Sequence, residues 1–362
     1  MFGSILVFLI VLSILVIVHE FGHFWVAKRN GIWVEEFGFG LPPRIFSKRV
    51  GETVYSLNLL PFGGFVRLHG ENEEAGITNP GRAFLNKNKK VRVAVVIAGV
   101  IMNFLLAIFA FGIVYSFSGI PRDSGQVKVV DVTAGSPAQS GGVVVGDIIR
   151  KVNGKEVSKV DDFVRIVEEK KGKRILLETD SKKLTLTPRG NPPQGEGPLG
   201  VVISTTEIYF PPLIARPFYG IYYGFKEALF WGQIVITGFV SIFRNLFRGI
   251  VPSDIAGPVG IFAVTSEAAK IGILALINFI GILSVNLAIL NILPFPALDG
   301  GRLLFIFIEK IVGKKVLPKV EAAIHSVGMM ILLLLLLAIT IHDIQRLIKA
   351  GGISGFIDSV LK

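Results

Sequence analysis

Long unbroken apolar runs constrain this 362-residue chain more than any other feature. Residues 5–26, 91–117, 271–293 and 324–341 are almost wholly Val, Ile, Leu, Phe and Ala. Each comes close to the ~20 apolar residues that a bilayer-crossing helix needs. Hydrophobic residues make up 51% of the chain and charged ones 18%, and the apolar residues gather in runs instead of alternating with polar ones. That pattern predicts a polytopic α-helical membrane protein with about four transmembrane helices. A further run, 230–243, is weaker. Lys226, Arg244 and Arg248 at its ends, with Phe230 and Trp231, suit a helix lying along the outer surface.

The first run carries His19-Glu20-Phe21-Gly22-His23. Histidines four apart share one helix face, where both imidazoles can reach a single tetrahedral Zn²⁺, and the glutamate between them stays free to move a proton. Ionisable groups are costly at membrane depth, so a cluster of three is read as a functional site. The chain has no cysteine, which leaves nitrogen and oxygen as zinc ligands and excludes a thiol nucleophile.

Lys28 and Arg29 follow the first run, and Lys87, Lys89, Lys90 and Arg92 precede or open the second. The positive-inside rule therefore puts the N-terminus outside, the end of the first helix at the cytoplasmic face, and the segment after the second helix outside. Met1-Phe2-Gly3-Ser4 lacks a positive n-region and no Ala-x-Ala site follows, so the first run is expected to stay attached. The net charge of +11 is spread over the loop flanks. It is read as topology and contact with lipid head groups, not nucleic acid.

Between the first two runs, glycines and prolines punctuate short alternating segments such as 53–59, which is a β-hairpin pattern. The residues leave two readings open: a hairpin on the cytoplasmic surface, or an edge strand near Gly38-Phe39-Gly40 against which an extended peptide pairs. Residues 125–206 change character, with short Val/Ile strands, clustered charges and a helical stretch at 160–169, as expected of one small soluble α+β domain. The series from Ala134-Gly135-Ser136-Pro137 to Asn153-Gly154 resembles a PDZ domain, and Gly197-Pro198-Leu199-Gly200-Val201 resembles its carboxylate-binding loop, placed as in a circularly permuted form. Such a groove would take a peptide C-terminus, or else the domain only blocks access.

A catalytic zinc needs a third protein ligand and one open position. Asp299 is the strongest candidate. It lies in Asn291-Ile-Leu-Pro-Phe-Pro-Ala-Leu-Asp299-Gly-Gly, where prolines break the helix and glycines let the chain turn a carboxylate back toward the bilayer. His325 is a rival, and if it is not a ligand the sequence gives it no part in metal binding or turnover.

These motifs, spread over nearly the whole chain, resemble the site-2 protease family of intramembrane zinc metalloproteases, nearest its bacterial regulator-of-sigma-E branch. The resemblance implies one Zn²⁺ on His19, His23 and Asp299, with Glu20 catalytic and Asn286 and Asn291 binding substrate. It implies that Gly38-Phe39-Gly40 belongs to a membrane-reentrant β-loop, and that 255–261 matches a segment before the aspartate helix. The expected substrates are transmembrane segments of single-pass proteins, such as anti-sigma factors or signal-peptide remnants, in a bacterial inner membrane. This chain has room for one PDZ domain, whereas the best-known member has two. The expected division is 1–29 (first transmembrane helix), 30–86 (β-loop), 87–118 (second), 119–207 (PDZ domain, extracytoplasmic), 208–270 (amphipathic segment), 271–301 (third, with Asp299), 302–323 (cytoplasmic loop), 324–343 (fourth) and 344–362 (tail). A transporter would need an internal repeat, which is absent, and a silent PDZ scaffold would not keep the zinc set.

Overall fold

A computed structural model describes residues 2–71, 76–248, 257–313, 316–352 and 355. The chain forms two compact units, Met1–Phe117 with Ile214–Lys362 and, separately, Ser118–Leu213.

The first unit is helical, with one β insertion. Its helices are α1 (Phe2–Arg29), α2 (Lys89–Ser118), α5 (Arg216–Phe247), α6 (Pro258–Ile271), α7 (Ile273–Ile292), α8 (Asp299–Val312) and α9 (Pro318–Lys349). Helices α1 and α2 are antiparallel and touch through glycine. A side chain at Gly22 would run into the backbone of Ala98, and one at Gly99 into the His19 and His23 rings. Membrane helices associate through close backbone packing of this kind, because lipid is as apolar as the side chains it would replace.

Among the described residues, five helices are long and apolar enough to cross a membrane, and α5 is one of them. The packing of α5 bears on the reading of 230–243 as a surface helix. Gly220 and Gly224 sit on the backbone of α2 around Gly112, and Ala228 enters a cluster with Ala107, Phe111 and Val285. Gly232 follows, beside Ile289. Small residues every four positions thus bring α5 lengthwise down α2, antiparallel to it, and alongside α7. Tyr115 Oη donates to Glu227 at 2.8 Å and Trp231 Nε1 to the same carboxylate at 3.1 Å. Helix α6 runs back along α1. Ser266 meets Ser4 at 3.0 Å, and Phe262 packs edge-on to Phe8 at 5.6 Å, so α6 is antiparallel to α1. Asp343 of α9 accepts from the Gly257 and Gly260 amides at 2.9 and 3.0 Å, satisfying donors at the α6 N-terminus. Of the segment 255–261, residues 255 and 256 lie outside the described residues.

The β insertion consists of two long bent strands, β1 (Val34–Val50) and β2 (Thr53–Leu68). Because both bend, they pair as a four-segment sheet. Residues 36–39 of β1 pair with 54–57 on one side and 64–67 on the other, while 46–50 cover the far side of 53–57. Gly38, Phe39 and Gly40 are therefore interior. Asn58 Nδ2 also donates to the Phe39 and Gly40 carbonyls at 3.2 and 3.1 Å. The edge reading of 38–40 is corrected accordingly, and the edge beside α1 is 64–68. A Cβ on Gly64 would lie 3.5 Å from Val16 and 3.6 Å from Glu20. Ion pairs brace the insertion. Glu36, almost fully buried, meets Arg44 at 2.6 Å and Arg67 at 3.6 Å. Arg82 grips both oxygens of Glu52 at 2.6 Å, holding that carboxyl below its usual range.

The second unit is a sheet in the order β7-β6-β4-β3-β8, with the short β5 (Lys155–Glu156) on β4. Its strands are β3 (Ile120–Val132), β4 (Ile148–Val152), β6 (Ile175–Thr179), β7 (Lys183–Leu186) and β8 (Val201–Tyr209), all paired antiparallel. Helices α3 (Pro137–Ser140) and α4 (Val160–Glu169) complete it. Phe163, Ile166 and Val167 recur on one face of α4 and join Val127, Ile149, Leu177 and Leu199 in one core. At the end of the sheet β8 pairs, among the described residues, with β3 alone.

Candidate metal centre

His19 and His23 project from one face of α1, as their spacing requires. Asp299 is not at the end of a long third helix. Pro294 follows Leu293, α7 stops at Ile292, six residues intervene, and Asp299 opens a separate helix, α8. A carboxylate in the first turn suits the helix dipole. Gly300 and Gly301 allow this start to press on the α7 end, since a side chain at either would collide with the carbonyls of Ile292 and Leu293 or of Phe295.

The three donor atoms converge. His19 Nε2 and His23 Nε2 are 3.2 Å apart, and Asp299 Oδ2 lies 3.1 Å from the first and 3.3 Å from the second. Zinc–ligand bonds of ~2.0–2.1 Å in a tetrahedron require donor separations of about 3.3 Å. Asp299 Oδ2 is buried and makes no hydrogen bond among the described residues, although the imidazole nitrogens face it. Three convergent lone pairs with a buried, unsatisfied carboxylate oxygen fit a cation, and the donor set is one that zinc favours.

The imidazoles are held from behind by α2. The Val95 carbonyl accepts from His23 Nδ1 at 2.8 Å, which fixes the proton on Nδ1 and turns the Nε2 lone pair toward the other donors. Asn103, fully buried, has its amide 3.4 Å from His19 Nδ1, and its other amide atom lacks a partner among the described residues. Both groups are satisfied when the amide oxygen accepts from His19 Nδ1–H. Sequence reasoning missed Asn103. Its signal was there, a lone amide inside the second apolar run. Gly99 matters as well, because a methyl there would lie within 2.8 Å of the His23 ring. Gly99→Ala should leave a folded, monodisperse protein that loses most of its zinc; elemental analysis after gel filtration that finds normal zinc would refute this packing.

Glu20 faces a cavity of about 840 Å³, bounded on one side by Phe65, Val66 and Leu68 of the strand edge and on another by Arg302 and Glu71. The Arg302 guanidinium pairs with Glu71. Asn291 brings its amide to 3.5 Å from His19 Nε2, so it is at the centre. Asn286 is not, since its amide donates to the Ile282 carbonyl of its own helix at 3.0 Å. His325 lines the cavity but is outside the donor set. His69 is tied to Glu35 at 2.7 Å and accepts from the Asn79 amide at 3.1 Å, a local brace.

Comparison with known proteins puts a class to this arrangement. The model of peptidase family M50 matches residues 7–335, so the chain belongs to that family, the site-2 proteases. It is a zinc metalloprotease with several apolar helices, a multi-pass membrane protein whose cofactor is Zn²⁺. A Clostridium perfringens protein named as a zinc metalloprotease is 38% identical over 341 residues, covering 93% of this chain and 97% of the relative. A Clostridium acetobutylicum protein named likewise is 34% identical, over 95% and 98%. The zinc metalloprotease RasP of Bacillus licheniformis is 30% identical, over 95% and 99%.

Proposed function

We propose that this chain hydrolyses peptide bonds within transmembrane segments of single-pass membrane proteins, with one Zn²⁺ held by His19, His23 and Asp299 and with Glu20 as the general base. The observation that carries this is the convergence of three donors, 3.1 to 3.3 Å apart, beside a glutamate that is not one of them. Zn²⁺ held by His19, His23 and Asp299 would supply an acidified water and polarise the scissile carbonyl. Glu20 takes the proton from that water and returns it to the leaving amine.

A helical substrate hides its carbonyls in its own hydrogen bonds, and exposing them in lipid costs several kcal/mol per group. The 64–68 edge supports strand addition as the remedy. An extended segment pairing there would lie along α1 beside Glu20, with Asn291 available for a further backbone group. Gly38, Phe39 and Gly40 then act by holding that edge in place. The test combines zinc analysis of the purified protein with cleavage of a single-pass model substrate: zinc without cleavage of any membrane segment would remove the proposal.

The antiparallel series of α5 and α6 supports five spans with α6 as a returning half-helix, the active site toward the cytoplasmic side and residues 119–207 outside. Cysteine at Leu213 should react with an impermeant reagent from outside, and cysteine at Arg248 only from the cytoplasm. Labelling of both from outside would restore the surface-helix topology.

The strand order of the second unit, with β8 free on one side, supports a PDZ reading with Gly197-Pro198-Leu199-Gly200-Val201 as its carboxylate loop. Deleting residues 119–207 with a short linker should leave zinc binding and chemistry intact and change which substrates are cut, because no proposed ligand or proton-transfer group lies there. A folded, zinc-loaded deletion variant without activity on any substrate would count against it.

A further inference from the structure

Ala297, two residues before Asp299, has φ +76°, one of only two non-glycine residues with positive φ among the described residues. An L residue is disfavoured there and persists only where its surroundings hold it. What holds it comes from α9. The Ala297 N–H donates to His325 Nδ1 at 2.8 Å, across 28 residues of sequence. One turn further on, Gly328 lies against Pro296 so closely that a side chain there would overlap the proline ring. The His325 ring also packs on Phe305 of α8, with centroids 5.6 Å apart. Its Nε2 is buried without a hydrogen bond among the described residues, and the Glu321 carboxylate, at 3.9 Å, is out of range.

From this we infer that His325 is a positioning residue for Asp299, acting through the backbone of Ala297. The bond fixes the direction of the Ala297 amide, and with it the turn that aims the next residues. Asp299 Oδ2 must fall within a few tenths of an ångström of a tetrahedral vertex, and a rotation two residues upstream is enough to displace it. An accepting Nδ1 requires a neutral ring with its proton on Nε2. In this arrangement α9, which forms one wall of the cavity, is joined to the segment carrying the third ligand by the His325–Ala297 hydrogen bond, the Gly328–Pro296 contact and the packing of His325 on Phe305. The sequence assigned His325 no role once it was not a ligand; this contact assigns one. The inference rests on Asp299 being a zinc ligand.

The test measures zinc affinity by chelator competition, and cleavage of a single-pass substrate, on full-length protein in detergent. His325→Leu removes the acceptor and should weaken zinc binding by roughly 10–100-fold, the range for outer-shell partners of a metal site. His325→Asn places an amide oxygen about where Nδ1 stands and should restore affinity to within about threefold, whereas His325→Gln, one carbon longer, should not. Ala297→Gly in the His325→Leu background should recover part of the loss, because glycine accepts positive φ without support. Should His325→Leu fail to fold, Ala297→Val in the otherwise unaltered chain makes the same test from the other partner, since a β-branched residue at this φ should also weaken zinc binding. Folded His325→Leu with unchanged affinity, or Asn and Gln variants equally impaired, would overturn the inference. Asp299→Ala is the control that separates the two levels. If it keeps its zinc, the ligand assignment fails. If it loses zinc while His325→Leu retains it, only the positioning role fails.

Discussion

Glu20→Gln should abolish hydrolysis, by a thousandfold or more, while the purified protein keeps one zinc. The carboxylate is not among the converging donors, so the amide spares the metal, and glutamine is nearly the same size beside Gly64. What it removes is the proton acceptor. General base catalysis contributes roughly 10²–10⁴-fold, and here the same group must also protonate the leaving amine, so the loss should sit at the upper end. The effect should appear in kcat with KM little changed. Turnover within tenfold of the unaltered enzyme would exclude Glu20 as the base, whereas loss of zinc together with activity would make it a ligand.

Asp299→Ala should lose activity and most of the metal together. With two imidazoles left, the site has half a tetrahedron, and the loss of affinity should exceed the roughly 10–100-fold that outer-shell changes cost. The variant should still fold, because Gly300, Gly301 and the Arg302–Glu71 pair keep α8 against its neighbours without the carboxylate. Asp299→Glu is the sharper comparison. One extra methylene displaces the oxygen by more than a zinc bond tolerates, so it should bind zinc but more weakly, and cleave slowly if at all. Elemental analysis and single-turnover cleavage on the same preparations separate these cases. An Asp299→Ala protein with full zinc would leave the third ligand to be found elsewhere.

Both predictions use residues that could be named from the amino-acid order, and the reason is local. The i, i+4 spacing of His19 and His23 is a property of one helix, and so is the apolar run around it, which makes ionisable groups conspicuous. Asp299 could be named because Pro294 and Pro296 end a helix and Gly300 and Gly301 permit a turn. The long apolar runs gave α1, α2 and α7 to within about three residues at each end, and the central part of α9, which extends further at both ends. They set α5 apart because its mean hydropathy is the lowest of the five, and because its contacts use Gly220, Gly224 and Ala228 toward α2 and Gly232 toward α7, which add little to hydropathy. Small residues at four-residue spacing were the available signal, and they report packing, which hydropathy does not measure.

Sequence alone determined the class of chemistry: a helix with two zinc-spaced imidazoles and a spare carboxylate, a distant third carboxylate at a helix break, and apolar runs that put all of it in lipid. Only the tertiary structure decided which strand segment is the edge beside Glu20, since two bent strands fold back on themselves and bury Gly38-Phe39-Gly40 between 54–57 and 64–67. It alone decided that Asn103 and Val95 stand behind the histidines, that α6 returns the chain to α7, and that His325 reaches the Ala297 amide. The division has one physical cause. Helix periodicity and bilayer thickness act over ten to twenty neighbouring residues and leave a mark in their order, while strand pairing depends on where both strands bend, and the orientation of the imidazoles and the support of a disfavoured φ depend on contacts across 28 to 84 residues.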